Sequence, residues 1–192
     1  MKCYAALSAT TIFAAILSQI TPAEAENIPP PSGPYSFAIQ GSVAQCFDPT
    51  TNAPEACSTS GAVVVAFSVL QAGHITYSSD IGCEEVIQVV NSLPPSASPP
   101  IVNSSVTGTD KITNYDPNTG IGTSSFTRYS GGSCNGANFN SAGATETSSG
   151  TLQFVVTDGG KQVEDIVTQL EGYPTNNVGS VSLFITEQKQ TR

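Results

Sequence analysis

The chain has 192 residues, enough for one domain with a sizeable core, and a net charge of -9 from 15 acidic and 6 basic side chains. The acidic residues are scattered rather than clustered, which is typical of a solubilising surface. Such a surface repels nucleic acids and anionic lipid headgroups, so we expect no nucleic-acid partner.

The first 25 residues predict an export signal. Lys2 gives a positive start, residues 4–20 are apolar and uncharged, and Ala23-Glu24-Ala25 is a small-x-small cleavage site. The apolar stretch contains several polar residues and is a poor membrane span, which needs about 20 apolar residues. We therefore expect a secreted or periplasmic protein that begins at Glu26 and has no membrane span.

The segment after the predicted cleavage site is a proline-rich leader, residues 26–34. Prolines cannot donate ladder hydrogen bonds, so this segment should be extended. A single domain is predicted over residues 35–192. Its first strand is indicated by Tyr35, Phe37 and Ile39, which alternate with smaller or polar residues.

The next part of the chain predicts two strands and one ambiguous element. Residues 61–70 form a continuous apolar run, residues 71–73 predict a turn, and residues 74–79 alternate as a second strand. Residues 83–93 combine helical spacing with β-branched residues, so we predict a short helix or an irregular crossover. Four prolines in residues 94–100 stop any regular element and predict a connection across an open end of the fold.

Hairpin signals dominate the second half of the chain. Residues 106–115 and 121–129 flank Asp116-Pro117-Asn118-Thr119-Gly120, in which proline presets φ and glycine supplies positive φ. Residues 130–150 form a glycine-, serine- and asparagine-rich loop that Cys134 would hold. Three further strands are predicted at 151–157, 162–170 and 179–186.

These elements predict an all-β fold. About eight strands follow one another in hairpin order, with no long helical pattern to carry a parallel crossover. We predict an antiparallel up-and-down β-barrel of about eight strands, because closure removes exposed sheet edges. A two-sheet β-sandwich explains the same pattern, and the spacing leaves both open.

Four cysteines remain after the predicted cleavage: Cys46, Cys57, Cys83 and Cys134. An even number in an exported chain favours two disulfides, for which three pairings exist. Cys46 and Cys57 bracket a polar stretch that resembles a long hairpin loop. We therefore pair Cys46 with Cys57 and Cys83 with Cys134.

Several segments resemble secreted bacterial proteins with a calycin-like, eight-stranded barrel. They are GPYSFAIQG at 33–41, AGHIT at 72–76, TLQFVVTDGGK at 151–161, and GSV at 179–181 before EQKQ at 187–190. The resemblance covers most of the mature chain and includes no catalytic motif. It implies a lipocalin-like or allene oxide cyclase-like cup without a named ligand. The four cysteines and two long loops depart from the pattern.

No complete catalytic or metal-binding set occurs in the sequence. His74 is the only histidine, and its position at a predicted turn favours a surface residue. Ser133 directly follows a glycine, which breaks the nucleophile-elbow spacing. Asp116 and Asn118 resemble the start of a calcium loop, but no carboxylate closes it, so a hairpin turn is favoured. We expect no catalytic residue, metal or cofactor.

Three residues are candidates for contact with a ligand inside the barrel: Phe126, Arg128 and Phe154. Arg128 shares a strand face with Phe126, and a cation inside an apolar barrel can hold a carboxylate. In the alternative, Arg128 lies outside with its stem over an aromatic neighbour. Glu164 and Asp165 are adjacent, so either one faces inward with a raised pKa, or both lie in water near a barrel mouth.

Three functions stay open at this point. The leading hypothesis is an exported, non-enzymatic β-barrel that binds a small apolar molecule. The alternatives are a surface or matrix interaction protein with a packed barrel and binding loops, and a cofactor-free isomerase or cyclase in a similar cup. A cavity of about 300 Å³ or more favours the first or the last hypothesis. The sequence determines neither the ligand nor the oligomeric state.

Overall fold

The computed structural model describes residues 27–92, 106–173 and 175–191. For residues 87–92 it describes the backbone alone. The predicted export signal and the proline-rich residues 94–100 lie outside these ranges. The described residues include no helix long and apolar enough to cross a membrane.

Ten strands occur in the described residues. They are β1 (Gly33–Phe47), β2 (Val63–Ser78), β3 (Ile81–Ser92), β4 (Val106–Asp116), β5 (Ile121–Ser130), β6 (Ser133–Asn135), β7 (Asn138–Asn140), β8 (Thr145–Thr157), β9 (Gln162–Gly172) and β10 (Val178–Lys189). Eight of them close into a barrel in the order β1-β10-β9-β8-β5-β4-β3-β2. All neighbouring pairs are antiparallel. The predicted barrel is confirmed, and the sandwich alternative is wrong.

Strand β2 corrects the turn predicted at residues 71–73. The chain runs straight through this segment, and β2 pairs with β1 from Val63 to Tyr77. Gly73 is required for a different reason: a Cβ at this position would collide with the carbonyl oxygen of Glu85 and with the Phe37 ring. The glycine therefore marks a close approach of backbone and side chain in the barrel wall rather than a change of direction.

Strand β3 corrects the helix or crossover predicted over residues 83–93. This segment pairs with β2 on one side and with β4 on the other. The two ladders satisfy the backbone polar groups of β3 in extended form, and the β-branched residues suit that conformation. The helical spacing of its apolar residues therefore had no consequence for the structure.

The proline-rich leader closes one end of the barrel. The Ile28 N–H donates to the Pro117 carbonyl oxygen at 2.9 Å, and the Tyr115 hydroxyl donates to the Ile28 carbonyl oxygen at 3.0 Å. Pro31 is fully buried. The Tyr35 hydroxyl donates to the carbonyl oxygen of Gly160, in the 3-10 turn between β8 and β9, at 2.6 Å. We call this end of the barrel the leader end. The opposite end, where residues 48–62 connect β1 to β2, is called the loop end.

Both disulfides have the predicted pairing. Cys46–Cys57 ties the 48–62 loop to the end of β1. Cys83–Cys134 holds the β6–β7 hairpin against β3, where the Cys134 backbone N–H also donates to a Glu85 carboxylate oxygen at 3.4 Å. The predicted 130–150 loop thus contains a small hairpin of its own.

Candidate functional site

The barrel interior contains a cavity of about 400 Å³. All eight barrel strands contribute to its wall, which is mainly aliphatic and aromatic. Its aromatic side chains are those of Phe37, Phe47, Phe67 and Phe126. This volume lies above the lower limit of about 300 Å³ for ligand pockets, so the packed interior of the second hypothesis is wrong.

Apolar and polar side chains both occur along the length of the cavity wall. At the loop end its wall includes Phe47, Phe67 and Val69, which are half-buried. Toward the leader end it includes the carboxyl group of Glu187, two residues before the last residue of β10.

Arg128 faces the interior and is already paired. Its Nε and Nη2 donate to the two carboxylate oxygens of Glu84 at 2.7 and 3.3 Å. Its Nη1 donates to Gln71 Oε1 at 3.1 Å, and its guanidinium carbon lies 5.5 Å from the centroid of the Phe126 ring. The outward alternative for Arg128 is wrong, but its charge is balanced by Glu84 rather than free for a ligand carboxylate.

Room for Glu84 is provided by the neighbouring strand. A Cβ at Gly108 in β4 would collide with the Glu84 carboxylate. Glycine at this position lets the carboxylate lie across β4 toward Arg128 on β5. Substitution of Glu84, or replacement of Gly108 by a residue with a side chain, would therefore disturb the ion pair.

Two further acids on the cavity wall keep an unpartnered oxygen. Asp110 and Glu187 are buried, with 7% and 5% of their surfaces exposed. The Ser124 hydroxyl donates to Asp110 Oδ2 at 3.0 Å, and the Tyr77 hydroxyl donates to Glu187 Oε1 at 3.1 Å. Asp110 Oδ1 and Glu187 Oε2 have no hydrogen-bond partner among the described residues. Protein atoms enclose both oxygens, and the residues that carry them line the cavity.

Burial changes the acid–base properties of these groups. It raises the pKa of Asp110 to about 7, with Glu84 adding to the increase and Ser124 and Arg128 opposing it. Burial, with repulsion from Asp165 and Asp110, raises the pKa of Glu187 well above its usual range. The same two causes, burial and carboxylate repulsion, raise the pKa of Asp165. Burial therefore shifts all three carboxyl groups toward the neutral form.

The Glu164-Asp165 pair divides between the two faces of β9. Asp165 is buried, and its Oδ2 has no partner in the described part of the chain. Glu164 lies on the outer face, where the hydroxyl of Thr186 donates to it at 2.9 Å and the Gln162 side-chain amide also donates to it. The inward alternative for one member of the pair is therefore the correct one.

The three predicted contact residues do not share one location. Phe126 and Arg128 line the cavity together. Phe154 is buried but stacks on Tyr115, with ring centroids 5.9 Å apart, and is not part of the cavity wall. Phe154 belongs to the core toward the leader end because Tyr115 in turn bonds the leader.

Sequence reasoning missed Glu84, Asp110 and Glu187. The inward position of Glu187 could have been predicted from the sequence, because Glu187 continues the alternation of Leu183 and Ile185 on the inner face of β10. Asp110 has no apolar alternation beside it in β4, and Glu84 could be placed only once β3 was known to be a strand.

His74 lies on the outer face of the barrel and does not line the cavity. Its Nε2 is 2.9 Å from Glu85 Oε2, and 42% of its side chain is exposed. It is a surface residue, as predicted, but lies within β2 rather than at a turn.

The turn at Asp116 satisfies its own carboxylate. The Asn118 backbone N–H and the Thr119 hydroxyl each donate to Asp116 at 3.0 Å. This arrangement is the predicted hairpin turn between β4 and β5. Across the described ranges, no group of three or more His, Cys, Asp or Glu side chains is arranged to hold a metal ion.

Comparison with known proteins identifies no relative: no protein family, no curated protein and no solved structure matches the chain significantly. The closed, eight-stranded antiparallel barrel is the part of the calycin-like resemblance that the structure supports.

Proposed function

We propose that this chain is an exported β-barrel protein that binds a small, largely apolar molecule inside its barrel. The observation that carries the proposal is the cavity of about 400 Å³ with walls from every barrel strand. Burial of a ligand's apolar surface in such a cavity is favourable by about 25 cal/mol per Å². Phe126 and Arg128 are proposed ligand contacts.

Export and the calycin-like, lipocalin-like relationship belong to the same proposal. Two disulfides support export, because such bonds persist mainly in oxidising compartments outside the cytosol. The proposal places cleavage after Ala25 and a secreted or periplasmic location. The internal cavity supports the relationship, because a calycin-like cup requires one.

A fluorescent apolar probe tests the proposal. N-phenyl-1-naphthylamine, which is neutral near pH 7 and brightens in apolar surroundings, is titrated into protein purified with both disulfides intact. We expect saturable binding. Val69→Trp, which fills the cavity from its wall, should weaken binding at least about tenfold, a change of 1.4 kcal/mol.

The adjacent Leu70→Trp is the matched control, because Leu70 points outward and is 53% exposed. It should bind the probe as the parent does. Absence of saturable binding by the parent, or equal weakening in both variants, would contradict the proposal.

One observation supports a second candidate, the cofactor-free isomerase or cyclase. A cavity-wall carboxyl group with a pKa of about 7, that of Asp110, suits proton transfer at neutral pH. Native mass spectrometry of protein from its own source can identify a retained compound. Conversion of that compound by the parent and not by Asp110→Asn would favour the enzyme.

A further inference from the structure

Acidic side chains outnumber basic ones inside the barrel. Acidic groups enter from four strands: Glu84 on β3, Asp110 on β4, Asp165 on β9 and Glu187 on β10. Arg128 on β5 is the one base on the cavity wall among the described residues, and Glu84 and Gln71 occupy it. When Asp110, Asp165 or Glu187 ionises, no base among the described residues is paired with it.

The other titratable groups near these acids do not supply that charge. Tyr77 on β2 and Tyr35 on β1 contribute neutral hydroxyls, one bonded to Glu187 and the other to a backbone oxygen. Lys189, at the leader end of β10, has its ammonium group 5.8 Å from the centroid of the Tyr35 ring. No ion pair found in the described residues joins Lys189 to a carboxylate.

From these contacts we infer that the ligand of this cavity is an amine, an apolar body carrying one ammonium group that Asp110 and Glu187 hold. The inference rests on the proposed function. Both residues line the cavity, both are more than nine-tenths buried, and each has one oxygen without a partner. An ammonium group brings three donors and a positive charge that favours the ionised form of both acids.

The rest of the wall also suits a cation. Phe37 and Phe126 line the cavity, and aromatic faces attract cations. An anionic ligand would meet repulsion from each of these acids that is ionised, and a neutral ligand would bring no charge to pair with it. Phe47 and Phe67, toward the loop end, would contact the apolar body of the amine.

Acidification should remove the preference for an amine. The raised pKa values of Asp110, Asp165 and Glu187 mean that low pH leaves all three neutral, whereas the ligand's amine stays protonated up to about pH 10. Ionised Asp110 and Glu187 are the partners that the amine needs. Its affinity should therefore rise with pH through neutrality.

Three probes of matched shape test the inference: 2-(1-naphthyl)ethylamine, 2-(1-naphthyl)ethanol and 3-(1-naphthyl)propanoate. Each displaces N-phenyl-1-naphthylamine from the parent protein at pH 8 and pH 5.5. At pH 8 the amine should bind at least about tenfold more tightly than the alcohol, and the carboxylate should bind most weakly. At pH 5.5 the advantage of the amine over the alcohol should shrink.

Isosteric variants assign the effect to residues. Asp110→Asn and Glu187→Gln should each weaken amine binding at least about fivefold, and together they should reduce it to the level of the alcohol. Matched controls are Asp80→Asn and Glu146→Gln, which remove the same charges from exposed positions. The controls should bind the amine as the parent does, and retained binding of N-phenyl-1-naphthylamine shows that each variant is folded.

The outcomes separate the inference from the function on which it rests. Equal affinities for the amine and the alcohol, with N-phenyl-1-naphthylamine still bound, would overturn the amine inference and leave the proposed function in place. Equal losses in the interior and exposed variants would also overturn it, because the effect would then be one of overall charge. Failure of N-phenyl-1-naphthylamine to bind the parent would overturn both.

Discussion

At the scale of single residues, the barrel interior contains two kinds of buried acid. Arg128 donates a hydrogen bond to each carboxylate oxygen of Glu84, so the charge of Glu84 is compensated within the protein. Asp110 and Glu187 each receive one hydroxyl donor and keep a second oxygen unpartnered. Buried polar atoms without partners are unfavourable for folding, and sites that bind or react often retain them.

Breaking the Arg128–Glu84 pair should be more harmful than removing it. Arg128→Met should lower the free energy of unfolding by about 3 kcal/mol, because it leaves a carboxylate buried without its partner. Adding Glu84→Gln should recover at least half of this loss. Urea unfolding of the two single variants and the double variant measures the coupling. Additive losses would mean that the two side chains do not stabilise one another.

At the scale of elements, sheet pairing decided two segments against their local pattern. The glycine and alanine of residues 71–73 suggested a turn, yet the segment pairs with β1 and β3 on both sides. The helical spacing in residues 83–93 likewise yielded to ladders with β2 and β4. The sequence predicted β2 as two strands and did not predict β3 as a strand. The predicted number of barrel strands was therefore still correct.

Gly73→Ala tests whether close approach, rather than a turn, explains this glycine. The new Cβ would meet the Glu85 carbonyl oxygen and the Phe37 ring, so we expect a loss of about 2 kcal/mol or more in unfolding free energy. Gly143→Ala is the comparison, because its Cβ meets open space and only its positive φ of +73° opposes it. That variant should lose about 1 kcal/mol. A smaller loss at Gly73 would contradict the steric explanation.

At the scale of the whole molecule, closure of the sheet creates the interior in which these acids lie. The leader covers one end through its bonds to Pro117 and Tyr115. Two disulfides hold the 48–62 loop and the β6–β7 hairpin to the barrel wall. The result is a barrel with a largely apolar cavity and carboxyl groups on its wall, with solvent excluded from most of their surface.

Stability without ligand should fall as pH rises from about 4 to 7. The folded pKa of Asp110 is about 7 and its ordinary value is 3.8, so over this interval the folded chain binds more protons than the unfolded chain. The contribution of Asp110 is at most on the order of 4 kcal/mol, and Asp165 and Glu187 act in the same direction.

Urea unfolding at several pH values measures this dependence. Asp110→Asn should flatten the decline, because an amide does not titrate, whereas Asp80→Asn at an exposed position should leave it unchanged. A rise in stability over the same pH interval would show that the buried acids are ionised in the folded chain.

The sequence by itself determined the class of fold, the hairpin order and the disulfide pairing. Alternation such as that of Leu152, Phe154 and Val156, and the turn at Asp116, are local signals that arise from side-chain geometry and backbone preference. These signals survive in the structure because pairing in the barrel satisfies the same preferences. They also placed Phe126 and Arg128 on one face, which is the inner one.

Only the tertiary structure decided between sandwich and barrel. It also formed the cavity of about 400 Å³ and placed Glu84, Asp110 and Glu187 on the cavity wall. These three acids are far apart in the chain and become neighbours through closure between β1 and β10 and the register of the strands between them. No local pattern records which face of a strand will be enclosed. Burial, and with it the raised pKa of Asp110 and of Glu187, is a property of the closed barrel.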